Sequence, residues 1–319
     1  MKGGIRITAV TTMLHFLVDG LCVCSLYMMV PFFHSAQIMV YVFVYNVLAF
    51  MSQPLTGIMV DMLERKDKML CASVVGLLLA VCAVAVLPYT EGKLLQSVGF
   101  VVSVLLGMGN SLFHVWGGKR IVMQVGNEIR YLGVYVSTGA LGLSVGLLFH
   151  SWLLVCILLS GICLLSAVCF FSPEFPVSSI SRKIDSVSFT SEMGFVAWLL
   201  IILIMLFVSF RSFFGNVMSS MVAMDDVMVL VVGVVSMLGK MVGGWMAHRW
   251  GIVRIMLLLS LLVVACFWMH YGLLGMFVIN CTMPITLFWA NALLKGREAF
   301  AFGLLAFALV PGYYLFYVL

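Results

Sequence analysis

Charge is the scarcest ingredient of this chain. Only 9% of its 319 residues are Asp, Glu, Lys or Arg, and 64% are hydrophobic, whereas a soluble domain carries about 25% charged residues. No water-soluble core absorbs that much apolar sequence, so a soluble enzyme or binding module is excluded. The nine cysteines make no Cys-x-x-Cys pair, and Cys22-x-Cys24 sends its two side chains to different faces of a helix. All nine lie in apolar runs, where free cysteine behaves as a small hydrophobe. The sequence therefore predicts neither a metal cluster nor a bound cofactor. A nucleotide loop is lacking too. Gly139, Gly142 and Gly146 sit inside an apolar run, where small residues let helices approach closely. Nor do the runs have the roughly ten-residue alternation of an outer-membrane barrel. The net charge of +5 lies in short segments between apolar runs, a pattern of membrane topology rather than of nucleic-acid binding.

What is present is a series of helix-length apolar runs, at 5–31, 36–62, 69–88, 94–116, 131–150, 152–171, 194–220, 226–248, 252–271, 273–294 and 298–319. Each is near the roughly 20 residues that cross a bilayer core, which predicts an all-α integral membrane protein of eleven spans. The first run follows Lys2 and Arg6 as a signal peptide would, but it is too long and carries Asp19, so it reads as an uncleaved span. Threading the runs puts Lys2, Arg6, Arg65, Lys66, Lys68, Lys119, Arg120, Arg130, Arg182, Lys183, Lys240, Arg249, Arg254, Lys295 and Arg297 at or near one face, and Lys93 alone on the other. The cation-rich face is expected to be cytoplasmic, with the N-terminus inside and Leu319 outside. Arg211 is the only cation this threading places deep in a span.

The polar stretch 172–193 divides the chain. It predicts a six-helix bundle at 1–171, a cytoplasmic linker at 172–193, and a five-helix bundle at 194–319. The halves correspond in order. Gly57-Ile-Met-Val-Asp61 with Arg65, Lys66 and Lys68 returns as Gly243-Gly244 with His248, Arg249 and Arg254, and Leu112-Phe113 returns as Leu287-Phe288. Such duplication marks transporters. A six-plus-six plan leaves the mate of the sixth span missing.

A few polar residues interrupt the runs. Asp19 lies near the middle of the first, where a charge costs about 3 kcal/mol on insertion scales and so faces a cavity or a partner. His15 lies one turn away on the same face, and imidazole is the side chain that changes charge most readily near neutrality. Together they read as a proton or substrate site, or as a structural pair. Arg211 suits bidentate capture of phosphate or carboxylate, or snorkels to an interface. Asn110 and His114 make a polar stripe on the fourth span, for cavity lining or for bonding between helices. Asn291 and Asn46 are similar candidates. Met218, Met221 and Met224, with Asp225 and Asp226 beyond, offer thioethers that suit Cu(I) or membrane packing. Gly57, Asp61, Arg65 and Lys66, with Gly244 and Arg249, are gating candidates: Asp61 is expected to pair with, or cap, the opposite bundle.

The two halves and the Gly57–Lys68 loop resemble the major facilitator superfamily. A finer resemblance is to its fosmidomycin resistance protein branch, a group of drug efflux carriers. It is carried by His15-Phe-Leu-Val-Asp19, Gln53-Pro54 ahead of Gly57, Gly107-Met-Gly109-Asn-Ser-Leu-Phe113-His114, and Arg211-Ser212 followed by aromatics. Val115 departs from it, standing where the branch has proline. The resemblance implies a secondary transporter in a bacterial inner membrane, working by alternating access with spans 1, 4, 7 and 10 around one cavity. Protons are the implied partner. A small molecule, with anions among the candidates, is the implied substrate of an efflux antiporter. The implied proton site is Asp19 with His15, and the implied substrate site Arg211, His114, Asn110 and Asn291. Asp19 and Arg211 are expected to approach each other across the cavity in at least one state of the cycle. Uptake of a small metabolite or copper, and a non-transporting remnant or assembly partner, are the alternatives.

Overall fold

The computed structural model describes residues 2–63, 67–126, 128–171 and 194–318. All regular structure among them is helical: α1 Lys2–Met29, α2 Ser35–Asn46, α3 Gln53–Leu63, α4 Lys68–Val86, α5 Gly92–Val125, α6 Ile129–Leu148, α7 Trp152–Phe171, α8 Phe195–Ser220, α9 Asp226–Trp250, α10 Ile252–Trp268, α11 Gly272–Cys281, α12 Met283–Leu293 and α13 Glu298–Val318. Among these residues, nine helical segments are long and apolar enough to cross a membrane, α11 and α12 counting as one. A tenth is the α2–α3 pair, bent by 43°, and α10 is a shorter apolar helix. These segments coincide with the eleven apolar runs.

The bend has a local cause. Pro54 cannot donate to the helix ladder, and the turn before it widens to π-helix over Val47–Met51. Gln53 Nε2 then donates to Ala49 O at 2.7 Å, so a side chain returns a hydrogen bond that the irregular backbone gives up. The fourth span is longer than its apolar run. α5 continues to Val125, so Lys119 and Arg120 are helical residues rather than loop cations.

Two bundles emerge from the packing. One buried cluster joins α1, α2, α4, α5 and α7, and another lies mainly within α8 to α12. A third, from Val60 and Val115 through Tyr135 and Leu287 to Phe302, bridges the two. The pairing is duplicated: α1 packs along α6 as α8 packs along α13, while α6 crosses to α9 and α13 crosses to α3. At the α1–α6 contact a Cβ on Gly142 would strike the Phe16 carbonyl, so the two backbones touch directly. α7 covers the flank of α1 and α4. On the other bundle, Leu199, Leu203, Leu206, Leu257 and Leu261 face outward from α8 and α10. The expected linker at 172–193 lies outside the described residues, as do Glu64, Arg65 and Lys66.

Candidate functional site

The α1–α5–α6 packing gathers three of the predicted site residues at one point. Asp19 and His15 share a face of α1, and His114 approaches from α5. His15 Nε2 lies 3.2 Å from Asp19 Oδ2, His114 Nε2 lies 3.5 Å from Asp19 Oδ1, and the two Nε2 atoms are 2.9 Å apart. Each ring is held from behind. His15 Nδ1 meets Tyr135 O at 2.9 Å, and His114 Nδ1 meets Asn110 O at 2.9 Å. A carbonyl accepts only, so both rings carry hydrogen on Nδ1. Both Nε2 lone pairs therefore converge with the carboxylate on one point, and a hydrogen or another cation has to lie among them. Asn110 Nδ2 donates to Asp19 Oδ1 at 2.9 Å, which makes it a support behind the carboxylate. Gly139 of α6 closes the other side, where a Cβ would collide with Asp19 Oδ2 and His15 Nε2.

His15, Asp19 and His114 line a cavity of about 270 Å³ between the bundles. Its opposite wall carries Arg211 of α8 and Lys240 of α9. Lys240 corrects the threading, which counted it toward the cation-rich face and left Arg211 as the one cation deep in a span: it lines the cavity as a second. Arg211 is 9% exposed, and among the described residues neither it nor Lys240 makes an ion pair. The expected Asp19–Arg211 pair is not formed in this conformation, because the two imidazoles and Asn110 take the carboxylate. Tyr45, Phe50, Leu143 and Leu309 also line a larger, mostly apolar chamber of about 510 Å³. That chamber extends to Tyr27, Val30 and Tyr313, at the helix ends opposite the cation-rich loops.

At the cation-rich end the bundles are bolted together. Asp61 Oδ1 accepts from Ala299 N at 3.2 Å, and Oδ2 accepts from Phe300 N at 2.9 Å. These amides belong to the first turn of α13, where N–H groups lack helical partners and the dipole favours an anion. Lys119 Nζ adds an ion pair to Asp61 at 3.1 Å. Gly57 permits the approach, since a Cβ there would overlap the backbone at Ala299 and Phe300. Gly244 plays the matching part on α9, against Gly133 of α6. Next door, Asp67 takes Trp116 Nε1 at 3.0 Å and Arg120 at 2.8 Å. Burial pushes its carboxyl above the usual range, against the opposing pull of Arg120 and Trp116.

Other expected site residues lie elsewhere. Asn291 donates to Leu287 O of its own helix at 2.8 Å and does not line the cavity. Arg249 is exposed at the end of α9 and, among the described residues, makes no ion pair. Arg65 and Lys66 lie outside the described residues. Met218 is buried against Gly275 of α11, Met224 is exposed, and the methionine series faces neither cavity. Asn46 lines the apolar chamber.

No family model matches this sequence, and no curated protein matches it. Solved structures of similar shape are found. A variant of the fucose:proton symporter FucP of E. coli aligns with a TM-score of 0.66 at 13% identity, covering 98% of this chain and 90% of that one. A bacterial homologue of the iron transporter ferroportin, in an outward-facing state, gives 0.65 at 14% identity over 98% and 91%. A variant of the nucleoside transporter NupG gives 0.53 at 15% identity over 98% and 91%. The fold is thus the two-bundle, all-α membrane fold of major facilitator type.

Proposed function

We propose that this protein is a secondary transporter that exports a small anion across a bacterial inner membrane in exchange for protons. One observation carries the reading: one cavity between the bundles has a carboxylate–imidazole wall on one side and, on the other, two cations that form no ion pair with a carboxylate among the described residues. The duplicated pairing supplies the moving parts, two bundles meeting along α3–α13 and α6–α9. In this conformation the cation-rich end is closed by Asp61. With that end cytoplasmic, the cavity faces outward. Arg211 and Lys240 hold the anion. The wall of His15, Asp19 and His114 holds the proton, because three lone-pair-bearing atoms converge there. Proton arrival reduces the negative charge facing Arg211 and Lys240, and the bundles rock to the other state. The efflux direction rests on the resemblance to the fosmidomycin resistance branch.

The test is a screen of small anions on proteoliposomes with an imposed pH gradient, reading lumenal pH with a trapped dye. A transported anion is expected to dissipate the gradient only in the presence of the protein. Movement of solutes with no proton flux would overturn the coupling. Arg211→Lys is expected to weaken anion transport at least about tenfold, because an ammonium lacks the planar fork of guanidinium. Transport constants for the lysine variant equal to wild type would remove Arg211 from the site.

A further inference from the structure

We propose that His15, Asp19 and His114 bind a divalent transition-metal ion, so that the anion passing through this cavity travels as a metal complex. The proposal rests on the reading of the cavity as a transport site and adds the chemistry of its cargo.

The donor geometry carries it. A metal about 2.0–2.1 Å from nitrogen and oxygen ligands sets neighbouring donors about 3.0 Å apart at right angles, or about 3.4 Å apart in a tetrahedron. Here the two Nε2 atoms are 2.9 Å apart, Asp19 turns Oδ2 to His15 at 3.2 Å and Oδ1 to His114 at 3.5 Å, and one ligand atom from each residue lies within 4.8 Å of the other two. The donors come from two helices, all three point inward, and all three residues are buried, at 5, 7 and 7% exposure for His15, Asp19 and His114. Two imidazoles and one carboxylate on one face leave the remaining coordination positions open toward the cavity.

The supports are those of a ligand set. A metal-bound histidine gives its other N–H to a carbonyl or carboxylate, which fixes the ring and its tautomer. Both rings do so here, to Tyr135 O and Asn110 O, and Asn110 Nδ2 steadies the carboxylate. Around them stand Phe113, Tyr135 and Phe302, which limit the solvent that competes for the ion. The opposite wall narrows the cargo. Arg211 and Lys240 repel a bare dication and attract an oxyanion, so the ion enters with an anionic ligand that fills its open positions and meets the two cations. Nitrogen and oxygen donors suit zinc, iron(II), cobalt, nickel or manganese, whereas Cu(I) prefers sulfur.

Cobalt(II) is the probe, because its visible absorption reports both binding and geometry. The full chain in lipid nanodiscs at fixed neutral pH is titrated with Co²⁺, and bound cobalt is counted by equilibrium dialysis. One equivalent per chain is expected. His15→Gln and His114→Gln should each weaken binding by at least about 100-fold, and Asn110→Ala, which removes a support rather than a donor, by about 10–100-fold. Only protein eluting like wild type is scored; should both glutamine variants fail to fold, Asn110→Ala decides. With citrate added as a model chelator, cobalt and citrate are expected to bind together, and Arg211→Gln to keep cobalt while losing citrate. Absence of saturable cobalt binding, or equal binding in His114→Gln, overturns the metal site. Citrate binding that ignores cobalt overturns the complex as cargo, yet leaves anion transport standing. Cobalt binding that ignores citrate in the wild type overturns the complex as cargo.

Discussion

Asp19→Asn is expected to abolish gradient-driven transport and to leave solute exchange measurable. The substitution keeps the shape of the side chain but removes its charge. A neutral amide offers one acceptor oxygen where Asp19 offers two, and adds a donor that faces the imidazole lone pairs of His15 and His114. The wall then holds much the same charge on both sides of the membrane, so a pH gradient no longer biases the two conformations. A bias exists only where a ligand distinguishes the states. Arg211 and Lys240 are untouched, so the proposed anion is expected still to bind. The measurement is counterflow and pH-driven transport in the same vesicles. The gradient-driven signal should fall at least about tenfold, which corresponds to about 1.4 kcal/mol of lost bias. A wild-type signal in Asp19→Asn would sink the coupling.

The second large effect is at the closed end. Asp61 satisfies two backbone N–H groups of α13 and the ammonium of Lys119. An asparagine there accepts through one oxygen and presents its NH₂ to groups that can only donate. Breaking a buried ion pair from one side costs about 3–5 kcal/mol. Lys119 is partly accessible at 14%, which lowers that cost. Even about 1.4 kcal/mol shifts the ratio of the two conformations tenfold. Asp61→Asn should therefore express normally, because the buried cluster around Phe300 and Leu287 remains. It should also open the α3–α13 seam and slow turnover about tenfold or more. Distance measurements between spin labels on the ends of α3 and α13, beside transport rates, check this. Normal turnover with an unchanged distance distribution would leave Asp61 a topology signal only.

The architecture was legible because hydrophobicity is local: each run announces its own helix, whereas the bend near Pro54 was not read, because 36–62 is one continuous apolar run. Asp61 was legible as a partner or a cap for the opposite bundle, and it caps α13 through the main-chain amides of Ala299 and Phe300. The site was readable only in parts. Asp19, His15 and His114 each stood out as polar residues in apolar runs. That His15 and His114 touch depends on how α1 crosses α5, and nothing in either run encodes that crossing. Lys240 was misplaced for a related reason. A cation in the half of an apolar run nearer the cation-rich face reads as reaching that face, but α9 turns Lys240 toward the cavity. Lys119 was hidden because α5 outlasts its apolar stretch. The Asp19–Arg211 pair was inferred from the cost of two isolated charges. The two imidazoles relieve Asp19 of that cost, and Arg211 is left facing the cavity.

The latch at Asp61 has a consequence for how the chain tolerates change. It grips main-chain amides at Ala299 and Phe300, which every residue except proline supplies. The side chains at these two positions can therefore vary, within the space they fill, while the clasp is retained. A proline at either position could preserve the first turn of a helix yet remove the hydrogen that Asp61 holds. The closed end is thus encoded on one bundle by a particular acid, and on the other by little more than the presence of a helix beginning.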